Sequence, residues 1–207
     1  MSDTLITQEI QAAKQAFAQA FDEAEQALKS FELESLKGLV FPAVNELRYA
    51  GRHLVRSLNE DSPKEQLKQI ESGAGHARRA IYDVYDAKTL YYFEQCIKFE
   101  EDYAKVLSFF NTADFKQDRE ALQKIKEDLA AISREARETY LEKVKDYSES
   151  VKKIYVKWNE HRKELNNFIF LEREKGMRHR LAIITIIIGI PSALYAIFNI
   201  TKLFSPQ

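Results

Sequence analysis

The chain is poor in cysteine, glycine and proline, and this scarcity excludes several classes of protein. Its 207 residues include one cysteine, Cys96, which excludes a disulfide framework and a cysteine-built zinc or iron–sulfur site. Six glycines and four prolines supply too little turn chemistry for a protein of many β-strands. The 31 Lys and Arg residues balance the 32 Asp and Glu residues to a net charge of -1, so no global basic field indicates nucleic-acid binding.

No catalytic motif is evident in the sequence. The run Gly73-Ala74-Gly75-His76 lacks the third glycine and the preceding strand of a dinucleotide-binding loop, and no Walker loop, His-Glu-x-x-His or nucleophile elbow is present. The four histidines are too dispersed along the chain to predict a metal site. Arg48 and His53 match the loose spacing of HEPN-type helical ribonucleases, which leaves a membrane-tethered ribonuclease as a minor alternative. We therefore expect no enzymatic activity, no metal and no cofactor.

A long uncharged stretch lies near the C-terminus of the sequence. Residues 181–200, LAIITIIIGIPSALYAIFNI, contain no charged side chain. A helix of this length is roughly 30 Å long, which matches the hydrocarbon core of a bilayer. The flanking basic residues are concentrated before the stretch, at Arg173, Lys175, Arg178 and Arg180, and only Lys202 follows it. Because Lys and Arg mark the cytoplasmic side, we predict a single-pass, tail-anchored protein with its N-terminal bulk in the cytoplasm.

Small and polar residues recur along one face of this predicted span. Spacings of 3, 4, 3, 4 and 3 place the following residues on one helical stripe: Ala182, Thr185, Gly189, Ser192, Ala196 and Asn199. Small side chains let membrane helices approach closely, and hydroxyl and amide groups bond between them, so the stripe predicts a homo-oligomer. Pro191 removes a backbone donor close to the flexible Gly189. This pair indicates either a tolerated irregularity or a hinge in a pore-lining helix.

The rest of the sequence shows helical periodicity and no strand pattern. Apolar residues at mostly heptad spacing predict a first helix over residues 7–36. Pro42 and the capping box Ser62-Pro63-Lys64-Glu65 predict the starts of two more, and the run from Asp114 predicts a fourth that continues, or nearly continues, into the span. We predict an all-α fold, an antiparallel bundle of long helices with a single C-terminal transmembrane helix. The expected parts are a cytosolic bundle with the ligand-sensing part (1–113), a long helical or coiled-coil connector (114–180), the transmembrane helix (181–200) and an external tail (201–207).

Arginines on the second and third helices predict an anion-binding site. Arg48, Arg52 and Arg56 share one stripe of the second helix, and a tight turn would bring the third helix alongside. The predicted ligand-binding residues are Arg48, Arg52, His53, Arg56, His76, Arg78, Arg79 and Tyr82. Tyr49 and Tyr85 are further rings nearby, and arginines with aromatic rings suit phosphates and stacked bases. Gly73 and Gly75 are expected to leave the backbone open to a ligand. The alternative is ordinary pairing of the arginines with acidic neighbours, namely Glu46, Glu60, Glu71, Asp83 and Asp86.

The sequence resembles the channel-forming membrane effectors of the Hailong anti-phage defence system. The resemblance lies in two runs, ELRYAGRHL (46–54) and ARRAIYDVYDA (77–87), and in the C-terminal span, and it is architectural over the whole chain. It implies an ion channel in the bacterial inner membrane, assembled as a tetramer, and a partner nucleotidyltransferase that makes single-stranded DNA oligomers to hold the channel shut. Our leading hypothesis is thus a homo-oligomeric channel effector gated by an anionic nucleotide or nucleic acid. The alternative is a tail-anchored scaffold or tethering protein without channel activity.

Overall fold

The computed structural model describes residues 3–35, 39–107, 113–132 and 139–177. Every regular element in these ranges is a helix, which confirms the predicted all-α class. The helices are α1 (Asp3–Ser35), α2 (Phe41–Ser57), α3 (Pro63–Leu107), α4 (Ala113–Ala130), α5 (Leu141–Glu160) and α6 (162–177).

No helix within the described ranges is long and apolar enough to cross a membrane. The predicted span, residues 181–200, lies outside those ranges. The same holds for its stripe and for the predicted hinge, which comprise Ala182, Thr185, Gly189, Pro191, Ser192, Ala196 and Asn199.

The chain divides into two compact units. The first contains α1, α2, α4 and the parts of α3 and α5 up to residues 102 and 159. The second contains the end of α3 from Tyr103 together with α6. Within the second unit, the hydroxyl of the buried Tyr103 donates to Asn166 Oδ1 at 2.8 Å, and Leu165 is fully buried. This unit therefore has a small core of its own.

One face of α1 supplies the core of the first unit, as its apolar spacing predicts. The buried residues at this spacing are Ile10, Phe17, Ala24, Leu28 and Phe31. The early part of α1 shares a core cluster with Ala50 of α2 and Ile70 of α3. The later part shares another with Ala43 and Ile81. Early α1 thus meets late α2 and early α3, so α2 runs antiparallel to both neighbours.

Prolines mark the starts of α2 and α3, as the sequence predicts. Pro42 lies in the first turn of α2, and Pro63 is the first residue of α3. Both positions suit proline because the first turn of a helix does not need its backbone N–H groups. The side-chain amide of Gln66 donates to the Ser57 carbonyl at 3.2 Å and closes the short connection between α2 and α3. The predicted tight turn is therefore present.

Aromatic side chains hold α4 and α5 on α3. The rings of Phe115 and Trp158 stack with their centroids 4.9 Å apart, and the Trp158 ring lies 5.8 Å from that of Phe99. At the opposite end of the pair, the Tyr147 hydroxyl donates to Asp128. Early α4 thus meets late α5, and late α4 meets early α5, so the two helices are antiparallel.

The continuous or nearly continuous helix expected from Asp114 onward is interrupted between α4 and α5. Helix α4 ends at Ala130, and α5 begins at Leu141. Residues 131–140 contain neither glycine nor proline, so local helix propensity would favour continuation. Tertiary packing overrides that preference, because an antiparallel pair buries the apolar faces of both helices on α3. The breaks expected at residues 148–150, 166–167 and 176 lie inside α5 and α6 instead.

Gly73 sets the spacing between α3 and its two neighbours. A Cβ atom there would lie 2.7 Å from Phe17 Cε2 and 3.2 Å from the Ala50 carbonyl oxygen. Both distances are shorter than normal contact in a close-packed interior, so the site accommodates only glycine without a shift. Gly73 and Gly75 are both buried. The interpretation that these glycines open the backbone to a ligand is therefore wrong, because the protein's own helices occupy the space at Gly73.

We expect Gly73→Ala to lower the free energy of unfolding by a net ~1 kcal/mol, since overpacking outweighs the gain in helix propensity. Gly51→Ala is the matched control, because nothing lies within 4 Å of a Cβ atom at Gly51. Alanine should stabilise the protein there by about 0.5–1 kcal/mol. Urea unfolding followed by circular dichroism measures both changes. Stabilisation of similar size in both variants would contradict the packing described at Gly73.

Candidate anion-binding site

Two histidines meet where α2 packs on α3. The rings of His53 and His76 are stacked, with centroids 5.1 Å apart and planes 22° from parallel. The ring of Tyr49 lies 5.5 Å from that of His76. The antiparallel arrangement of α2 and α3 produces this contact, because it places the end of α2 beside the beginning of α3. We call His53 and His76 the histidine pair.

Each imidazole of the histidine pair is anchored through its Nδ1 atom. His53 Nδ1 lies 2.7 Å from Gln69 Oε1, and His76 Nδ1 lies 2.7 Å from Glu46 Oε2. Both partner atoms are acceptors, so Nδ1 is the protonated nitrogen and donates in both rings. Neither Nε2 atom has a hydrogen-bond partner in the part of the chain that the structure describes.

Glu46 joins the two helices through a half-buried carboxylate. Its Oε2 atom accepts from His76 and also from Arg79 Nε, at 3.2 Å. Burial alone would raise the pKa of this carboxyl, but the hydrogen bonds and charges of His76 and Arg79 lower the pKa below its ordinary value. Glu46 is therefore ionised at neutral pH, which is consistent with its role as an acceptor.

The arginines of α2 lie on its exposed face. Arg48, Arg52 and Arg56 are all exposed. The guanidinium carbon of Arg48 lies 5.1 Å from the ring centre of Tyr49, within the range of a cation–π contact. The guanidinium groups of Arg52 and Arg56 form no hydrogen bond or ion pair with any other described residue. Their charges are therefore not neutralised by the acidic neighbours that the sequence offered as the alternative partners.

The predicted residues of α3 lie in three different surroundings. Arg79 pairs with Glu46 beside the histidine pair, as the alternative of ordinary acidic pairing predicts for this arginine. Arg78 lines a groove of about 710 Å³ between α1 and α3. Tyr82 is only 4% exposed and belongs to a core cluster, so, contrary to its prediction as a ligand-binding ring, almost none of the ring is accessible to a ligand. Tyr49 is the exposed ring beside the pair, with 40% of its surface accessible.

We define the anion site as the surface on which α2 and α3 meet. Its members are Arg48, Tyr49, Arg52, His53, His76 and Arg79. Glu46 was predicted only as an acidic partner of the arginines, and Gln69 was not predicted at all. Their role as anchors of the histidine pair depends on the alignment of α2 with α3. Guanidinium groups provide several N–H donors in a planar fork that fits phosphate and carboxylate oxygens. The arrangement is therefore suited to an anion with an adjacent ring.

The surroundings of Cys96 do not favour a nucleophilic thiol. Burial, with the negative charges of Glu100 and Asp118, raises the pKa of the Cys96 thiol to about 12. The thiol is therefore protonated at neutral pH and is a poor nucleophile. In the described ranges no group of three or more His, Cys, Asp or Glu side chains is arranged to hold a metal ion.

Comparisons with known proteins returned no relative. No protein-family model, curated protein or solved structure matches this chain. The chemistry of the anion site consequently follows from its own residues and their contacts.

We expect Glu46→Gln to lower the free energy of unfolding at pH 7 by about 1–3 kcal/mol, because hydrogen bonds to an ionised group are lost. A carboxyl whose folded-state pKa is lowered stabilises the fold above its ordinary value of 4.5, and that stabilisation is lost as pH falls through the lowered pKa. The difference between the two proteins should therefore shrink at acidic pH. Urea unfolding across a pH series measures it.

Glu25→Gln is the control for this experiment, because Glu25 forms an exposed ion pair with Lys29 on α1. Such pairs contribute little to stability, so the control should differ from the parent by less than about 0.5 kcal/mol at every pH. A Glu46→Gln difference that stays constant down to the most acidic pH would contradict the ionised bridge.

Proposed function

We propose that the chain is a homo-oligomeric membrane ion-channel effector of bacterial anti-phage defence, gated by an anionic nucleotide or nucleic-acid ligand on its cytosolic helices. The observation that carries the proposal is the stripe of small and polar residues along residues 181–200. A membrane anchor needs only apolar residues, and Thr185 and Asn199 would face lipid without a partner on a single helix. Several copies that bury the stripe around one axis would offer hydroxyl and amide groups to passing ions.

The anion site supports a ligand-controlled channel. Arg48 and Arg52 are exposed, and each guanidinium can place two donors on one phosphate. Tyr49 adds a ring on which a base can stack. The resemblance to the Hailong effectors suggests a single-stranded DNA oligomer, made by a partner nucleotidyltransferase, that binds the closed channel. A ligand changes the open fraction only through different affinities for the two states, so the site must differ between them.

A second candidate is a tail-anchored helical scaffold or tethering protein. Large apolar side chains at the end of α1 and the start of α2 are more than half exposed, and they are Leu33, Leu39 and Phe41. Clustered exposed apolar groups are typical of surfaces that bind partner helices. In this alternative, residues 181–200 only hold the protein at the membrane.

We expect the full-length protein to conduct ions in planar lipid bilayers, and a bound oligodeoxynucleotide to reduce the conductance. Asn199→Leu and Ser192→Leu should change the conductance severalfold, because each removes a polar group from the stripe. Leu194→Ile is the matched control, since residue 194 lies on the opposite face of an ideal helix. Conductance that is absent with and without oligonucleotide would exclude the channel.

An unrelated apolar anchor in place of residues 181–200 separates the two candidates. It keeps the cytosolic helices at the membrane but removes the stripe, so a channel should lose its conductance. A scaffold would give no conductance with either anchor and would recruit its partners equally well with both.

We expect a short oligodeoxynucleotide to bind the full-length protein with an affinity that falls steeply with salt, as for any ligand held through its phosphates. The double variant Arg48→Glu, Arg52→Glu should bind at least about tenfold more weakly, because charged hydrogen bonds are lost. Lys14→Glu, Lys29→Glu on α1 makes the same change in net charge and should bind almost normally. Fluorescence anisotropy over a salt titration measures these affinities. Unchanged binding by the arginine variant would place the site elsewhere.

A further inference from the structure

The hydrogen bonds that anchor the histidine pair through Nδ1 determine whether each Nε2 atom is a hydrogen-bond donor or acceptor. Glu46 and Gln69 keep a proton on Nδ1 of His76 and His53. A neutral imidazole carries only one proton, so each neutral ring exposes a lone pair at Nε2. Two lone pairs repel the oxygen atoms of a phosphate. Each ring becomes a donor at Nε2 only when it takes up a second proton.

We propose that anion binding at this site is coupled to the uptake of about one proton by the histidine pair, mainly at His53, so that a phosphate binds the protonated pair. The inference rests on the proposed function, because it concerns the same ligand site. The coupling makes ligand occupancy depend on pH as well as on ligand concentration, since the affinity for the ligand rises as the pH falls. Histidine is the side chain whose ordinary charge change falls in the physiological pH range.

The charged groups around the histidine pair explain why both rings are protonated only when an anion is bound. On α2 the facing groups are Glu46 and Tyr49, and on α3 they are Gln69 and Arg79. The single carboxylate lies against His76 but also accepts from Arg79, whose positive charge already offsets it, so it cannot balance a proton on each ring. Two imidazolium rings with centroids 5.1 Å apart repel each other. A phosphate supplies the negative charge that the second proton requires.

The hydrogen-bond partner of His53 carries no negative charge that could stabilise a protonated ring. Its anchor, Gln69, is a neutral amide, whereas the anchor of His76 is a carboxylate. The incoming anion therefore stabilises the added proton most strongly at His53. Arg52, one residue earlier on α2, is exposed and has no ion-pair partner among the described residues, so its charge adds to the positive potential of this part of α2.

A transition metal is the other species that binds two imidazole lone pairs. The described residues supply no third ligand in a suitable group. The guanidinium groups of Arg48 and Arg79, which lie beside Tyr49 and Glu46, also repel a cation. The surroundings therefore favour an anion over a metal.

The test uses a fluorescent hexathymidylate without terminal phosphates, because its phosphodiesters and thymines keep their charge across neutral pH. We expect its Kd for the full-length protein at fixed salt to rise by up to about tenfold per pH unit above neutrality, as uptake of one proton requires. Calorimetry in buffers of different ionisation enthalpy counts the protons directly. About one proton per bound oligonucleotide is the expected result for the unmodified protein.

His53→Gln keeps a donor amide near the Nε2 position but does not titrate, so it should bind with a nearly flat pH profile. His161→Gln is the matched control, since the His161 side chain is half-exposed on the chain after α5 and pairs, among the described residues, with the exposed Glu164. It should keep the slope of the parent protein. A parent slope retained in His53→Gln would overturn the assignment.

The outcomes separate this inference from the proposed ligand function. Binding by the parent protein that does not vary with pH, or a proton count near zero, overturns the coupling and leaves the ligand site intact. Absence of binding at every pH overturns both. Oligonucleotide binding that appears only with added Zn²⁺ would show a metal at the pair and would also overturn the coupling.

Discussion

The close approach of α2 to α3 at Gly73 is the contact on which the rest of the first unit depends. A larger side chain would meet Phe17 and the Ala50 carbonyl, so the absence of a Cβ atom lets three helices share one core cluster. Side chains of closely packed helices fit between one another, and this interdigitation selects the alignment of α2 with α3. That alignment places Glu46 against His76 and Gln69 against His53, and it gives the surface its chemistry.

The charged side chains between α1, α3 and α5 have different surroundings from the arginines of α2. Between α1, α3 and α5, the carboxylate of Glu34 contacts the ammonium groups of both Lys88 and Lys152, and Lys88 also reaches Glu149. Charges are matched there, and the network is part of the packing. On α2, Arg52 has no such partner among the residues that the structure describes. A chain with a net charge of -1 therefore carries a local excess of positive charge on α2, which composition alone does not reveal.

Periodicity predicted much of the fold, because the spacing of apolar residues encodes which face is buried. The buried face of α1 and the proline-marked starts of α2 and α3 follow from short stretches of sequence. The separation of α4 from α5 does not, because residues 131–140 contain no helix-breaking residue and only packing against α3 favours the reversal. The burial of Tyr82 and the stacking of the histidine pair depend in the same way on which helix lies opposite. The arginine stripe, which needs only one helix, was predictable.

The buried Cys96 has a practical consequence for measuring motion in this protein. It is the only cysteine in the chain, it is 1% exposed, and its thiol stays protonated at neutral pH. Thiol reagents attack the thiolate, so the native protein should react slowly with maleimides or nitroxide labels. A cysteine introduced on an exposed helix face would then be the dominant labelling site in an otherwise unchanged sequence. Distances between labels on α2 and on α6 become accessible to spectroscopy without removing the natural thiol from the core.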